Sequence, residues 1–170
     1  MNKEFSSADP ELLRQAMRCW TTGITIVTSK LDEVQHGMTV NSFTSVSLAP
    51  PVVSVSLAEN TRTNNLVRRS GIFAITILEE GQAELADRFA GRGPTSDIHE
   101  ANRFESVRTF SLLTGSPLLS EGLAYLDCKV IHSVEVGPTT VFFGEVVAVG
   151  NISAGRPMVY FNRLYRGLQL

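Results

Sequence analysis

The chain has 170 residues, of which 43% are hydrophobic and 19% are charged, and its formal net charge is −2. This composition excludes a disordered chain, and the lack of a basic run or stripe argues against a nucleic-acid partner. The length predicts one domain over residues 1–170. The longest apolar runs are only as long as a strand, and the N-terminus lacks an apolar signal-peptide core. We therefore expect no membrane partner and a cytoplasmic location.

The first part of the chain predicts a helix followed by strands. Asp9-Pro10 supplies the N-cap and the first position of a helix that runs to about Trp20. The β-branched and apolar residues from Ile24 to Ser29 predict a strand. Residues 30–36 predict a turn. A further strand then leads into the segment from Gly37 to Leu57.

The segment from Gly37 to Leu57 is rich in small hydrogen-bonding side chains. It carries seven hydroxyls and one amide, at Thr39, Asn41, Ser42, Thr44, Ser45, Ser47, Ser54 and Ser56. Strand alternation would place Ser45 and Ser47 on one face and Thr44 on the other, with neither face purely apolar. Such donors beside backbone N–H groups suit a phosphate-bearing ligand. The alternative is a strand and turn whose hydroxyls bond to the local backbone, and the residues alone leave both interpretations open.

The remainder of the chain predicts further strands and two more helices. Strands are expected at 53–58, 72–78, 124–137, 139–149 and 157–161, and helices at 62–70 and 79–90. The first of these helices has a capping residue at Asn60-Thr61 and ends at Gly71. Residues 94–117 are polar and irregular, which is typical of a long loop with a functional role. Regular strand–helix alternation is absent, so the order favours a mainly β, α+β fold, an antiparallel barrel with helices on its outside.

The chain carries no familiar catalytic or metal-binding motif. It lacks a dinucleotide-binding glycine fingerprint, a Walker A loop, H-E-x-x-H, C-x-x-C and G-x-S-x-G, so we expect no metal. Cys19 and Cys128 are expected to be buried thiols. Arg62, Arg68 and Arg69 are candidates to neutralise a phosphate and, equally, ordinary surface charges. A chain without catalytic side chains that holds a phosphate-bearing ligand indicates a protein whose cofactor supplies the chemistry.

Five segments, in order, resemble the short flavin reductases that supply reduced flavin to two-component monooxygenases. They are Thr22–Thr28; Gly37–Pro51; Phe73–Leu78 with Arg88–Gly91; Gly115–Gly122 with Leu126–Cys128; and Val141–Val149 with Pro157–Phe161 and Tyr165–Leu168. The resemblance extends from about residue 11 to 168. It implies the FMN-binding split barrel, an antiparallel split β-barrel with flanking helices, and a homodimer with flavin near the subunit interface.

The resemblance also implies the cofactor site. The isoalloxazine ring is expected along Met38, Thr39, Val40, Asn41 and Ser42. The ribityl chain and phosphate are expected at three hydroxyls, those of Thr44, Ser45 and Ser47. A later segment closes over the phosphate or adenylate at Ser56, Leu57, Ala58, Thr61 and Thr63, and a corner borders the flavin at Arg88, Phe89 and Gly91. NADH or NADPH would pass hydride to FMN or FAD, so no catalytic acid or base is needed.

One turn departs from the family pattern. The family commonly has Gly-Asp-His before a long strand, and that His is expected near the nicotinamide. The aligned residues here are Gly137, Pro138 and Thr139. Thr139 can donate a hydrogen bond but cannot be a cation. The hydride donor is therefore expected to be held by Thr139 or by Tyr165 and Arg166, or the electrons come from another source.

Three functions are compatible with these residues. The first, which the resemblance favours, is an NAD(P)H:flavin oxidoreductase that supplies reduced flavin to a partner oxygenase component. The second is a flavin-binding electron-transfer protein without direct use of pyridine nucleotide, which the missing His favours. The third is a β-barrel binding module for another ligand or a partner protein.

Overall fold

The computed structural model describes residues 9–92, 103–150 and 152–168. Within these ranges the helices are α1 (Pro10–Met17), α2 (Arg62–Ser70) and α3 (Ala83–Phe89). The strands in the same ranges are β1 (Thr22–Gly23), β2 (Thr25–Leu31), β3 (Val34–Val40), β4 (Thr44–Leu48), β5 (Pro51–Ala58), β6 (Ile72–Ile77), β7 (Thr109–Ser111), β8 (Pro117–Leu119), β9 (Ala124–Val136), β10 (Thr139–Val149), β11 (Val159–Phe161) and β12 (Leu164–Arg166). The expected class, mainly antiparallel β with helices, is confirmed.

Seven antiparallel strands form one sheet in the order β3-β2-β6-β9-β10-β5-β4. Its two edge strands, β3 and β4, are consecutive in the chain and are joined by residues 41–43. A flat sheet of seven strands would hold its edges about 29 Å apart, whereas the chain from Val40 to Thr44 spans at most about 14 Å. The sheet must therefore curl until its edges approach. The described residues also form two small sheets, β1-β11-β12 and β7-β8.

Hydrophobic residues cover both faces of the inner strands. One core cluster contains Val27 of β2, with Val55 of β5, Phe73 of β6 and Phe142 of β10. A second cluster contains Ile26, the residue of β2 before Val27, together with five buried residues from other parts of the chain: Leu78 after β6, Ala86 and Phe89 of α3, Leu119 of β8, and Met158 before β11. Successive side chains of a strand point to opposite faces, so β2 is buried on both sides.

Local capping fixes three helix ends where the sequence predicts them. Asp9 Oδ1 accepts hydrogen bonds from the N–H groups of Glu11 and Leu12, at 2.8 and 2.9 Å. Thr61 caps α2, and Gly71 ends it in the left-handed conformation with φ 70°. All three caps satisfy backbone groups that a helix end leaves unpaired. The predicted start of α1 and both ends of α2 are confirmed.

Several predicted boundaries are wrong. α1 ends at Met17 rather than near Trp20. α3 begins at Ala83 rather than at residue 79, because Gly81 has φ 95° and interrupts the helix. The turn expected over 30–36 is limited to residues 32–33. The interval predicted to be irregular contains β7 and the start of β8, while residues 94–102 of that interval lie outside the described ranges.

α1 lies on the protein with its apolar stripe uncovered. Leu13, Met17 and Trp20 are 61%, 52% and 64% exposed, and the helix has no buried residue. Cys19 is exposed as well, so the expectation of a buried thiol is wrong there. Cys128 is buried, and burial raises the pKa of its thiol to about 12. None of the helices in the described ranges has the length and apolar character that crossing a membrane requires.

Candidate functional site

The residues expected to bind flavin meet where the two sheet edges approach each other. Met38 to Val40 end β3, Asn41 and Ser42 lie in the crossing, and β4 carries the next three hydroxyls. Ser42 Oγ donates to Ser56 O at 2.8 Å and accepts from Ser56 N at 3.2 Å. These two bonds fasten the crossing to β5. The structure thus places Met38–Ser42, expected along the isoalloxazine ring, beside Ser56, where the segment expected to close over the phosphate begins.

The Thr39 hydroxyl also forms a hydrogen bond within the protein. Its Oγ1 donates to Ala86 O of α3 at 2.6 Å. The bond fastens β3 to the helix that carries the expected corner at Arg88, Phe89 and Gly91. Thr39 and Ser42 therefore use their hydroxyls to hold the site's backbone, as the alternative interpretation of the hydroxyl-rich segment predicts for them.

The hydroxyls of Thr61 and Thr63, at the start of α2, also form hydrogen bonds within the protein. Thr61 Oγ1 donates to Ala58 O at 2.7 Å and accepts from Asn64 N at 3.3 Å. Thr63 is fully buried, and its Oγ1 shares a 2.7 Å hydrogen bond with His36 Nδ1. The segment expected to close over the phosphate is thus anchored by its own hydroxyls.

His36 lies in β3 directly before the expected flavin segment, and only 4% of its surface is exposed. Burial, together with the cations Arg103 and Arg62, lowers the pKa of the imidazole to about 4. Its Nε2 is buried and lacks a hydrogen-bond partner within the described part of the chain. The ring is therefore neutral at pH 7. Across the described ranges, no three His, Cys, Asp or Glu side chains cluster closely enough to hold a metal ion.

The hydroxyls of Thr44, Ser45 and Ser47 differ from the four bonded hydroxyls just described, which are those of Thr39, Ser42, Thr61 and Thr63. No side-chain hydrogen bond joins them to another part of the described chain. Thr44 and Ser45 are exposed and Ser47 is half-buried. These three are the hydroxyls expected at the ribityl chain and phosphate, and they are available to a ligand.

A β-bulge changes which faces these hydroxyls occupy. The pairing of β4 with β5 shifts between Ser45 and Ser47, so Ser45 lies opposite Val53 and Ser47 opposite Val52. Directly opposed residues share a face, and consecutive residues of β5 do not. Ser45 and Ser47 therefore point to opposite faces, and the prediction that they share one is wrong. The cause is the extra residue, Val46, which plain alternation does not anticipate.

The Gly137–Thr139 turn, which lacks the family His, lies beside Ser56–Thr63, the segment expected to close over the phosphate. Thr139 pairs with Ala58 in the register of β10 and β5. Glu59 N donates to Pro138 O at 3.0 Å. Arg68 donates to Thr140 Oγ1 at 2.8 Å and forms an ion pair with Glu135. Of the two interpretations of Arg68, these bonds favour the surface charge.

Tyr165 fastens the last strand to α3. Its hydroxyl accepts from Arg92 Nη2 at 2.9 Å and donates to Asp87 Oδ1 at 3.1 Å. Burial raises the pKa of this phenol. Arg166 is exposed. Among the described residues, no hydrogen bond or ring contact joins Tyr165 to the Gly137–Thr139 turn, so these two candidate nicotinamide contacts are not brought together by direct contact.

The α3 corner packs directly on β3. Phe89 is fully buried and meets the edge of the Phe104 ring at 5.1 Å between centroids. A Cβ on Gly37 would lie 3.0 Å from Phe89 Cε1, so a side chain at this position would crowd the ring. Arg103 donates to backbone carbonyls of both elements. Sequence reasoning missed Arg103, because no local motif surrounds it and its partners are distant backbone atoms.

Comparison with known proteins identifies the family. Residues 17–169 match the model described as the flavin reductase like domain. An NADH-dependent flavin reductase from Rhodococcus sp is 36% identical over 177 residues, covering 100% of this chain and 95% of that protein. The reductase subunit HsaB of a flavin-dependent monooxygenase from Rhodococcus jostii (strain RHA1) is 31% identical over 161 residues, covering 95% of this chain and 79% of that protein.

A solved structure agrees with both relatives. The NADH:FAD oxidoreductase SgcE6 from Streptomyces globisporus C-1027, in complex with NAD and FAD fragments, superposes with a TM-score of 0.85 and 30% identity. The similarity covers 97% of this chain and 98% of that one. The resemblance inferred from five sequence segments is confirmed. The chain belongs to the family of flavin reductase like domains.

Proposed function

We propose that the protein is an NAD(P)H:flavin oxidoreductase that reduces FMN or FAD and supplies the reduced flavin to a partner monooxygenase. The observation that carries the proposal is the match of residues 17–169 to the flavin reductase like domain. The names of the relatives support each part of it. One is an NADH-dependent flavin reductase, and another is the reductase subunit of a flavin-dependent monooxygenase.

The free donors of the site fit a flavin phosphate. Thr44 and Ser45 are exposed on an edge strand, and Ser47 is half-buried on the face opposite that of Ser45. Hydroxyls and unpaired backbone N–H groups of a sheet edge bind anionic oxygens well. In this proposal Thr39, Ser42, Thr61 and Thr63 shape the backbone around the flavin. The bound flavin supplies the redox chemistry, and the chain's residues position the two reacting rings and keep the crossing rigid.

The nicotinamide is proposed to lie near Thr139. This residue pairs with Ala58, so a ring held there would lie beside the segment expected at the flavin. The Tyr165 hydroxyl already bonds to Asp87 and Arg92, which makes it a less available donor. The missing family His favours the electron-transfer alternative, but relatives described as NADH-dependent do not. Direct use of pyridine nucleotide is therefore the better-supported function.

The finer architecture and assembly belong to the same proposal. We infer an FMN-binding split barrel over a single domain, because the β3–β4 connection forces the sheet to curl. We infer a homodimer because apolar side chains are left uncovered on α1 and on the outer half of β9, where Ile131 and Val136 are 53% and 59% exposed. A cytoplasmic location stays a prediction.

Steady-state oxidation of NADH and NADPH, each with FMN and FAD, tests the function on one purified sample. We expect flavin-dependent loss of reduced nucleotide with at least one pair. Flavin that stays bound through dialysis while neither nucleotide reduces it would support the electron-transfer alternative. A protein that quenches no flavin fluorescence would support the binding module instead.

A further inference from the structure

Two neighbouring elements of the proposed flavin site, β3 and α3, each present a backbone carbonyl that needs a partner. Gly37 lies in β3, an edge strand of the seven-stranded sheet, and edge strands leave part of their carbonyls outside the ladder. Phe89 is the last residue of α3, and the last carbonyls of a helix have no partner within it. The two carbonyls belong to residues in tight contact, since the Gly37 backbone lies against the Phe89 ring.

Arg103 satisfies both carbonyls with a single nitrogen. Its Nη1 donates to Gly37 O at 2.9 Å and to Phe89 O at 2.7 Å. Hydrogen bonds from a charged donor are stronger than neutral ones, and a cation at the C-terminus of a helix is favourable. The guanidinium therefore acts as a clamp between β3 and α3.

The surroundings of Arg103 leave little freedom for the clamp to shift. A Cβ on Gly91 would lie 3.0 Å from Arg103 Nη2, so the chain passes the guanidinium closely at a residue with φ 70°. The next residue, Phe104, packs its ring against Phe89. The side chain and the adjacent backbone of Arg103 are thus both held at the end of α3.

We propose that Arg103 is a positioning residue for flavin binding. It fixes the spacing between β3 and α3 at which Met38–Ser42 and the Arg88–Gly91 corner face the same flavin. The inference rests on the proposed function, because the flavin defines why this spacing matters. Arg103 acts through the two carbonyls, and Gly37 directly precedes the stretch expected along the isoalloxazine ring. A second bond between the elements, from Thr39 to Ala86, remains when the clamp is removed. The loss should therefore be local rather than a collapse of the fold.

The test replaces the guanidinium and measures flavin and nucleotide separately. Arg103→Met removes both hydrogen bonds and keeps an unbranched apolar stem, while Arg103→Lys keeps a charged donor. The matched control is Arg108→Met, which removes an exposed arginine of the same stretch whose partner is Glu121. Each full-length variant is measured for flavin dissociation constant by fluorescence quenching, for KM of flavin and of NADH, and for Tm.

We expect Arg103→Met to raise the flavin dissociation constant and the flavin KM by about tenfold, as for the loss of one or two charge-assisted bonds. The KM for NADH should stay within about twofold, and Arg103→Lys should recover most of the flavin affinity. A purely structural role would instead lower Tm and the active fraction with no change in flavin affinity. If Arg103→Met does not fold, Arg103→Gln takes its place under the same criteria.

Three results would overturn the inference. They are a flavin affinity in Arg103→Met equal to that of Arg108→Met, equal losses in flavin and NADH KM, or no recovery in Arg103→Lys. Failure of the proposed function has a different outcome, since the unaltered protein would then bind no flavin or oxidise no nucleotide.

Discussion

The expected flavin site contains two groups of hydroxyls that a sequence cannot tell apart. Thr39, Ser42, Thr61 and Thr63 are all bonded to the protein's own backbone or to His36. Thr44, Ser45 and Ser47 on β4 have no such bonds within the described residues. Both interpretations of the hydroxyl-rich segment therefore hold, each for part of it. The first group shapes the site, and the second is available to a ligand.

The largest effect should come from a charge on the free group. Ser45→Asp places a carboxylate where the flavin phosphate is expected, and repulsion of about 2–4 kcal/mol would weaken flavin binding roughly 30- to 1,000-fold. Flavin fluorescence quenching measures the affinity. The control is Ser111→Asp, at an exposed serine of β7, which should leave it unchanged. Equal affinity in the two variants would place the phosphate elsewhere.

The second effect is a pH dependence of the free energy of unfolding, caused by His36, the hydrogen-bond partner of Thr63. The pKa of His36 is about 4 in the fold and 6.5 as the ordinary value, so the unfolded chain binds more protons between these pH values. Stability should therefore be full above pH 6.5 and fall by at most about 3 kcal/mol as the pH drops to 4. Urea denaturation at several pH values measures it. His36→Asn keeps an acceptor toward Thr63 and should show a shallower loss, whereas an identical slope would contradict the assignment.

A third effect tests the close approach of β3 to α3. A Cβ on Gly37 would lie 2.9 Å from Thr28 Cγ2 and 3.0 Å from Phe89 Cε1. Gly37→Ala should destabilise the fold by about 1–3 kcal/mol through overpacking. That corresponds to about 2–4 °C in Tm for each kcal/mol. Gly23→Ala is the control, since nothing lies within 4 Å of its added Cβ. Unchanged stability of Gly37→Ala would show that the contact relaxes freely.

The smallest effect separates the two hydroxyl groups most directly. Ser42→Ala removes the bonds to Ser56 O and N and should cost about 1–2 kcal/mol of unfolding free energy. Ser45→Ala removes no internal bond and should change stability by less than about 0.5 kcal/mol. Paired denaturation curves measure both. Equal losses in the two variants would remove the distinction between bonded and free hydroxyls.

The predictable features of this molecule are the local ones. Asp9, Thr61 and Gly71 act within a few residues of themselves, so the ends of their helices follow from the sequence. The family and its cofactor follow from five segments in order, which need no knowledge of packing. The sequence does not predict β7 and β8, because three-residue strands within a largely polar interval are too short to show a periodic pattern.

The features that sequence could not predict depend on distant partners. The bulge at Val46 exists because of how β4 pairs with β5, and it reverses the face of one serine. Arg103 contacts the backbone carbonyls of Gly37 and Phe89. Every residue type has a backbone carbonyl, so the sequence does not identify these two as partners. Cys19 reads as a buried thiol by type, yet α1 lies with its apolar side uncovered.

The strand order has a consequence for how quickly the chain reaches this structure. β2–β3, β4–β5 and β9–β10 are hairpins of neighbouring segments, and such pairs close within microseconds. The pairings that unite them, such as Ile75 with Leu126 and Val55 with Phe142, join remote parts of the chain. Because loop closure must precede those contacts, folding should be slow, on the order of milliseconds to seconds.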